Sequence, residues 1–268
     1  MTTIDPTARV QDGAILEDDV TIGPFCSVGP NVRIGAGTRL ESHVVVAGHT
    51  SIGMNCTIYP FASLGLPPQD LGYRGEPTRL EIGDGCTIRE SVTMSIGTVK
   101  GRGLTKVGDR GFFMAYSHVG HDCVVGDDAI FANTATLGGH CEIGNSVYIG
   151  GLTAVHQFAR IGSHAMIAGI TGVSGDVIPY GLAIGQRAYL DGLNVIGMKR
   201  RKFTRERLHK IRAFYNDLFH GGGLFVARLA ALQSRKAEDP AIAEILGFID
   251  DGKKRPLCQP MPHSLAKD

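Results

Sequence analysis

Apolar side chains recur at every sixth position over two long stretches of this chain. The first stretch runs from Ile4 to Leu64 and the second from Val107 to Val173, with a shorter return at residues 82 to 94. A period of six fits neither the 3.6-residue turn of an α-helix nor the two-residue alternation of a simple strand. It is typical of a solenoid in which each hexad forms one short strand and a corner, and three hexads complete a triangular coil.

A second column of small side chains lies two residues before each large apolar position. Cys26, Ala62, Ala129 and Ala165 are examples. Side chains at i and i−2 of a strand point to the same side, so each face is expected to bury one large and one small residue. Five of the six cysteines fall in this column, which favours interior packing over metal binding or disulfides.

Two segments interrupt the repeat, and loops that leave a scaffold often carry function. Residues 65–81 are rich in proline and glycine, and residues 95–106 are rich in glycine. The alternative interpretation of each is a tolerated surface insertion.

Helical periodicity replaces the hexads after Val173. A helix is predicted from an N-cap at Thr204 to the glycines that begin at Gly221, followed by a second helix over about 224–235 and a third from Pro240. The sequence therefore predicts a solenoid over residues 1–190 and a helical domain over residues 191–268 that caps its open end. No role is predicted after Lys253, and disorder is expected beyond Pro256.

Composition limits the classes of partner. The net charge of +1 gives no general case for binding nucleic acid or a membrane surface. No apolar run approaches the roughly 20 residues of a membrane span, and the first residues do not resemble a signal segment. These features predict a cytoplasmic protein without stable membrane insertion.

One segment departs from this neutral balance. Eight of the residues from Lys199 to Arg212 are basic, and one, Glu206, is acidic. Such a local field suits phosphates or an acidic protein partner. A solvated helix face is the alternative.

Four histidines are predicted to share one edge of the solenoid. With 18 residues per coil, His140 stacks over Asp122, and His156 lies above Gly138 and Gly120. His118 and His121 belong to the same edge. None of the four histidines falls in an interior column, so all four should point outward beside Asp122.

Two chemistries compete for this edge. Three imidazoles could bind Zn²⁺ for hydration or hydrolysis. Alternatively, one histidine acts as a general base with Asp122 holding its tautomer, and the small residues Gly120, Gly138 and Gly139 leave room for an oxyanion beside backbone N–H groups. The second interpretation is favoured.

Several segments, in order along nearly the whole chain, resemble the UDP-N-acetylglucosamine acyltransferase family. They are Ile22-Gly23-Pro24-Phe25-Cys26, Ser42-His43-Val44-Val45-Val46, Gly75-Glu76-Pro77-Thr78-Arg79, Arg89-Glu90-Ser91-Val92-Thr93, Gly103-Leu104-Thr105-Lys106-Val107-Gly108, His121-Asp122-Cys123, His156-Gln157-Phe158 and Lys199-Arg200-Arg201. The resemblance implies a left-handed parallel β-helix, an exception to the usual right-handed crossover, and a homotrimer with active sites between neighbouring prisms. It also implies the first acyl transfer of lipid A biosynthesis.

The resemblance assigns roles position by position. It implies that His121 takes the proton from the sugar 3-hydroxyl, with Asp122 as its partner and the backbone N–H of Gly139 facing the oxyanion. The freed oxygen would attack the thioester of a 3-hydroxyacyl group on acyl carrier protein. No cofactor or metal is implied, because the donor is the phosphopantetheinyl carrier itself and transfer is direct.

Further residues match positions that bind substrate in the family. The resemblance implies that His118, His140, His156 and Gln157 position sugar, phosphate and pantetheine. It implies that Asn194, Arg200 and Arg201 hold the nucleotide, that Gln69 and Asp70 contribute from the first loop, and that Gly169 and Arg187 border the acyl chain. The basic run around Arg200 suits an acidic carrier protein.

Three positions depart from the family pattern. Gly72 stands where the family carries a lysine that contacts substrate, Ile196 replaces an acidic residue near the uridine, and Arg187 replaces a histidine. Some family members acylate a 3-amino analogue of the sugar and form an amide, so this acceptor is an alternative here.

Four further functions fit the sequence less well. The related N-acyltransferase of the same pathway carries an extra N-terminal domain, whereas the repeats here begin by Ile4. An acetyl-CoA-dependent acetyltransferase lacks the loop at Gly75 to Arg79, and a zinc hydratase needs another histidine spacing. A purely structural β-helix has no need for an outward His–Asp edge.

Overall fold

Three parallel sheets form the three faces of a triangular β-helix in this computed structural model, which describes residues 1–252 and 255–261. Face 1 contains the strands Thr3–Ile4, Thr21–Ile22, Arg39–Leu40, Thr57–Ile58, Thr87–Ile88, Phe112–Phe113, Ile130–Phe131, Tyr148–Ile149, Met166–Ile167, Gly181–Ile184 and Tyr189–Leu193. Face 2 contains Arg9–Val10, Ser27–Val28, Val45–Val46, Ser63–Leu66, Thr93–Ser95, His118–Val119, Thr136–Leu137, Ala154–Val155 and Gly172–Val173. Face 3 contains Ile15–Leu16, Val32–Ile34, His49–Ile52, Arg79–Ile82, Leu104–Val107, Val124–Val125, Glu142–Ile143 and Arg160–Ile161.

The predicted interior columns form the core. Large residues of the hexad pattern, such as Ile58, Phe113 and Ile149, are fully buried, and so are the small residues two positions before them, such as Ala62 and Cys123. The first coil is the exception, because no coil lies below it. Ile4 is therefore 46% exposed.

The two interruptions lie at the same corner of the prism. Ile52 pairs with Ile82, thirty residues on, and Ile82 pairs with Val107, twenty-five residues on, whereas Val107 and Val125 show the usual spacing of eighteen. Both insertions connect face 2 to face 3, and they span residues 67–78 and 96–103 between the strand ends. We call this corner the 2–3 edge, and it is the edge that carries His121, His140 and His156.

Helices follow the last coils. They are Val195–Arg200, Arg205–His220, Phe225–Ala231 and Pro240–Asp250, with a 3₁₀ helix at Gln233–Ala237. The predicted N-cap is confirmed, because the Thr204 hydroxyl accepts a hydrogen bond from the N–H of Arg207. The second predicted helix is shorter than expected, and the helix Val195–Arg200 was not predicted. No helix of the described residues has the length and apolar character to cross a membrane.

The C-terminal segment closes the end of the solenoid. The strands Gly181–Ile184 and Tyr189–Leu193 form an antiparallel pair, and the predicted domain boundary after residue 190 falls inside the second of them. Bridges join Asp176 to Leu257 and Leu190 to Pro260. The expectation of disorder beyond Pro256 is therefore wrong for residues 257–261, while residues 253–254 and 262–268 lie outside the described residues.

Candidate active site

Most of the predicted catalytic and sugar-binding residues share one cleft at the 2–3 edge. The cleft has a volume of about 490 Å³, and Gln69 of the first insertion lies on its wall. The predicted site residues that line it with Gln69 are His118, His121, Gly139, His156 and Gln157. We call it the histidine cleft.

His121 and Asp122 form a hydrogen-bonded pair at the base of this edge. His121 Nδ1 lies 2.8 Å from Asp122 Oδ2, and the Asp122 side chain is fully buried. Asp122 occupies a left-handed corner conformation with φ at 59°, which aspartate tolerates better than most residues. The His121 side chain is 17% exposed and opens to the cleft.

Burial alone would raise the pKa of Asp122, but hydrogen bonds hold it below its usual value. The Thr98 hydroxyl and His121 donate to the carboxylate, as do the backbone N–H groups of Thr98 and Arg102. Asp122 is therefore ionised at neutral pH and can only accept. The proton of a neutral His121 must then reside on Nδ1, which leaves a lone pair on Nε2.

Gly139 lies directly against the free nitrogen of His121. A Cβ atom built on Gly139 would stand 2.6 Å from His121 Nε2 and 2.5 Å from Cε1. Any side chain at this position would occupy the space that a reacting group needs. Glycine is required here for close approach of the backbone.

His118 and His156 flank the cleft in different environments. Burial lowers the pKa of His118 and the nearby His121 lowers it further, and its Nδ1 lies 2.7 Å from the Thr93 hydroxyl. His156 is exposed, and its Nδ1 lies 2.6 Å from Nη2 of Arg255 in the C-terminal segment. A guanidinium only donates, so Nδ1 accepts in this shorter contact, whereas the Gln157 carbonyl oxygen 3.2 Å from the same nitrogen can only accept.

His140 and Asp70 line a neighbouring cleft of about 590 Å³. The His140 ring stacks on Phe158 at 4.4 Å between centroids and meets His121 edge-on at 4.9 Å. Lys100 of the second insertion borders the same cleft, and its Nζ lies 3.3 Å from where a side chain on Gly72 would begin. The second insertion therefore places a cation beside position 72.

The three-imidazole zinc site considered from the sequence does not converge. Among the described residues, the metal-type donor atoms that come within 4.8 Å of one another belong to His121, Asp122 and His140. Both carboxylate oxygens of Asp122 already accept hydrogen bonds from the second insertion. This donor set fits a proton-holding pair better than a metal centre.

The remaining predicted residues lie at other edges of the same chain. Gly169 lies at the edge between faces 1 and 2, and Arg187 is exposed in the turn between the last two strands. Asn194 Nδ2 donates to the carbonyl of His164, and Arg201 Nη2 donates to the carbonyl of Ser146, so both sit on the edge between faces 3 and 1. Arg200, beside Arg201, ends the first helix and is exposed.

Sequence reasoning missed the residues that support the cleft from the loops and the C-terminus. These are Thr98, Lys100, Gly101 and Arg255. The sequence did contain a signal for the two loops. Both interruptions follow the same hexad of a coil, so both loops must leave the solenoid at the edge that carries His121. Nothing in the period pointed to Arg255.

Comparison with known proteins gives matches over the whole chain. A family profile described as "Udp N-acetylglucosamine O-acyltransferase; Domain 2" matches residues 176–258, and a hexapeptide transferase profile matches residues 13–48. The acyl-[acyl-carrier-protein]–UDP-N-acetylglucosamine O-acyltransferase of Azorhizobium caulinodans is 58% identical over 265 residues, which is 99% of this chain and 98% of the relative. That of Thermodesulfovibrio yellowstonii is 45% identical over 97% of this chain and 100% of its own length.

Solved structures agree with these matches. The UDP-N-acetylglucosamine acyltransferase of Francisella novicida superposes with a TM-score of 0.94 at 35% identity, covering 99% of this chain and 97% of the other. The enzyme of Moraxella catarrhalis gives 0.93 at 42% identity, covering 96% and 99%. The fold class expected from the sequence, a left-handed parallel β-helix with a C-terminal helical domain, is confirmed.

Proposed function

Because this chain belongs to the family of UDP-N-acetylglucosamine O-acyltransferases, we propose that it transfers a 3-hydroxyacyl chain from acyl carrier protein to the 3-hydroxyl of UDP-N-acetylglucosamine. This would be the first step of lipid A biosynthesis, carried out in the cytoplasm. The observation that carries the mechanism is the His121–Asp122 pair, whose free Nε2 opens into a cleft beside Gly139.

The transfer proceeds by general-base catalysis. His121 Nε2 accepts the proton of the sugar hydroxyl while its oxygen forms a bond to the thioester carbonyl carbon. The buried Asp122 carboxylate stabilises the imidazolium that results. When the tetrahedral intermediate collapses, the C–S bond breaks and His121 returns the proton to the pantetheine sulfur.

The developing oxyanion lies near the backbone at Gly139. No charged side chain of the described residues lines the histidine cleft, so backbone N–H groups are the donors best placed to stabilise it. No cysteine is available as a nucleophile, because all six are buried. The acyl group is therefore transferred directly, without a cofactor.

A basic cleft on the helical domain fits the acidic carrier protein. It has a volume of about 1030 Å³, and its lining includes the basic residues Lys199, Arg205 and Arg212, one acidic residue, Glu206, and the apolar Phe203. A cationic rim with an apolar floor suits an acidic helix.

The outer surfaces of the prism support a homotrimer. Large apolar residues repeat along the edge between faces 1 and 2, each 58 to 66% exposed. They are Phe25, Phe61, Tyr116, Leu152 and Ile170. His43, Ser91 and Thr134 occupy the same corner position in the coils between them. An exposed edge so rich in large apolar residues favours an interface.

The two faces beside this edge carry few charges in the upper coils. Face 1 presents Phe112, Ile130, Tyr148 and Met166 outward, and face 2 presents Thr93, His118, Thr136, Ala154 and Gly172. The same column of face 3 contains Lys106, Val124, Glu142 and Arg160, of which Arg160 is buried beneath the helix Pro240–Asp250. Packing face 1 of one copy on face 2 of the next gives a head-to-tail contact that closes as a ring around the apolar edge.

This ring would complete the active site. The outer end of face 2 is the edge of His121, and the outer end of face 1 is the edge that holds Asn194 and Arg201. In the ring these edges of neighbouring copies lie side by side. The nucleotide-binding residues then come from one copy and the general base from the next.

The 3-amino sugar nucleotide is the second candidate acceptor. The changes at Gly72 and Ile196 motivate it, but Lys100 places an ammonium group 3.3 Å from where a side chain at position 72 would begin. The Asp70 carboxylate lies at the same distance from that point, so the loop retains a cation near position 72 without distinguishing the two acceptors.

The deciding experiment is a mass-spectrometric competition. The purified protein is given UDP-N-acetylglucosamine, its 3-amino analogue and a mixture of 3-hydroxyacyl carrier proteins. We expect ester product, and we expect His121→Ala to lower the rate by about 10²–10⁴. The matched control is His49→Ala, an exposed histidine of face 3 three coils below, which should retain activity.

Each remaining outcome has a defined meaning. Amide product alone would assign the amine acceptor. An absence of product from either sugar would contradict the proposed function, and metal analysis of the same sample would then test the zinc alternative. Wild-type activity in His121→Ala would contradict the assignment of His121 as the general base.

A further inference from the structure

The second insertion wraps around a single carboxylate. Asp122 Oδ1 accepts from the N–H groups of Thr98, Arg102 and Gly103 at 3.1, 2.7 and 3.1 Å. Asp122 Oδ2 accepts from the Thr98 hydroxyl at 2.7 Å and, more distantly, from the Thr98 N–H at 3.1 Å, besides the contact with His121 at 2.8 Å. All of these loop donors lie within residues 98–103, so the insertion is shaped by the group it encloses.

The loop passes so close to the carboxylate that residue 101 must be glycine. A Cβ built on Gly101 would stand 2.3 Å from Asp122 Cγ and 2.4 Å from both oxygens. Thr98 is 3% exposed and Asp122 is fully buried, so water does not compete for these bonds.

The donors of the loop are neutral. The guanidinium of Arg102 pairs with Glu142 rather than with Asp122. Neutral N–H and O–H groups orient the carboxylate without cancelling its charge, as an arginine would. The full negative charge remains available to the imidazolium of His121.

We propose that Thr98 is a positioning residue of the acyl transfer: its hydroxyl fixes Asp122 Oδ2 against His121 Nδ1 and thereby keeps Nε2 free as the base. This inference rests on the proposed function and adds to it the role of the second insertion. Thr98 is the one member of this loop that holds Asp122 through its side chain, because the other loop donors are backbone groups.

The test compares Thr98→Val with Thr98→Ser. Valine has the shape of threonine without the hydroxyl, and serine retains the hydroxyl. A hydrogen bond to a charged, buried group predicts a fall in kcat of about tenfold for Thr98→Val, with the KM for UDP-sugar little changed and Thr98→Ser close to the wild type. In an Asp122→Asn background, Thr98→Val should cause no further fall.

A second readout does not depend on activity. In ¹⁵N-histidine NMR, the signal of His121 is identified by its loss in His121→Ala. The wild type and Thr98→Ser should show the proton on Nδ1, and Thr98→Val should show a mixture of tautomers.

Two results would overturn the inference. One is an unchanged kcat and His121 signal in Thr98→Val. The other is an equal fall in kcat in both backgrounds, which would indicate a general structural role. If the wild type transfers no acyl group at all, the proposed function fails, while the NMR comparison still decides whether Thr98 sets the tautomer.

Discussion

At the scale of single residues, side chains of the candidate site occupy one backbone position that repeats from coil to coil. Asp122, His140 and Phe158 stand at the same left-handed corner of successive coils, with φ of 59°, 63° and 66°. The backbone is the same each time, so the side chains alone differ in what they offer. One residue earlier in each coil, the corresponding positions hold His121, Gly139 and Gln157. In the proposed mechanism, His121 is the base, Gly139 leaves open space and Gln157 forms a polar wall.

A prediction follows for Gly139. Gly139→Ala places a methyl group 2.6 Å from the expected position of His121 Nε2, so we expect kcat to fall by about 10²-fold as the base is displaced. Steady-state kinetics and a thermal unfolding midpoint would measure the two effects separately.

The chain offers a matched control for this substitution. Gly222 lies in the exposed turn after the helix Arg205–His220, and a Cβ there would meet no atom within 4 Å. Gly222→Ala should retain the transfer rate. Full activity in Gly139→Ala would show that Nε2 does not need this space.

At the scale of elements, three segments outside the hexad pattern supply the surroundings of the pair. The first insertion brings Gln69 to the cleft, and the second holds Asp122. The third is the C-terminal segment, which pairs with Asp176 and Leu190 and carries Arg255 to the rim. The solenoid provides a rigid edge, and these segments provide its specific contacts.

Arg255 should therefore matter for the reaction although it lies 99 residues from His156. Arg255→Met removes the donors to His156 Nδ1 and to the Gln157 carbonyl, and the loss of such charged hydrogen bonds predicts a fall in kcat/KM of about tenfold. The control is Gln259→Ala in the same segment, because Gln259 uses its backbone carbonyl to bind Leu190. Wild-type kinetics for Arg255→Met would mean that His156 does not need this contact.

At the scale of the whole molecule, the three faces of the prism are not equivalent. In the proposed ring, the apolar edge and the two lightly charged faces beside it form the contacts between copies, while the helix Pro240–Asp250 covers part of face 3 at Arg160. His121 and Arg200 lie at different edges of one chain, so the proposed site draws residues from two copies.

Complementation tests this arrangement. His121→Ala and Arg200→Ala chains should each be inactive alone. Co-expressed, they should recover about a quarter of wild-type activity, because a random ring then contains that share of sites with both halves intact. Arg200 is exposed, so its removal should leave the fold unchanged. Native mass spectrometry, with a purification tag of different mass on each variant, would establish the mixed trimers. No recovery in such trimers would place both residues of a site in one chain.

The scaffold and the position of the His121–Asp122 pair on it could be predicted from the order of residues alone. A solenoid repeats the same contacts between neighbouring coils, so the period of six sets the faces, the interior columns and the stacking of His140 over Asp122. Helix signals also act locally, which is why the cap at Thr204 was predictable. The family resemblance then supplied the roles of residues that the period could only place.

The support of the base, in contrast, became visible only in the folded chain. Three contacts illustrate this. Thr98 donates to Asp122, Lys100 lies beside Gly72, and Arg255 contacts His156. Each involves a segment that has no sequence period. Their geometry depends on how irregular loops fold back on the scaffold, and no local propensity encodes that. The regular part of the chain was therefore predictable from its pattern, and the contacts that tune its chemistry were not.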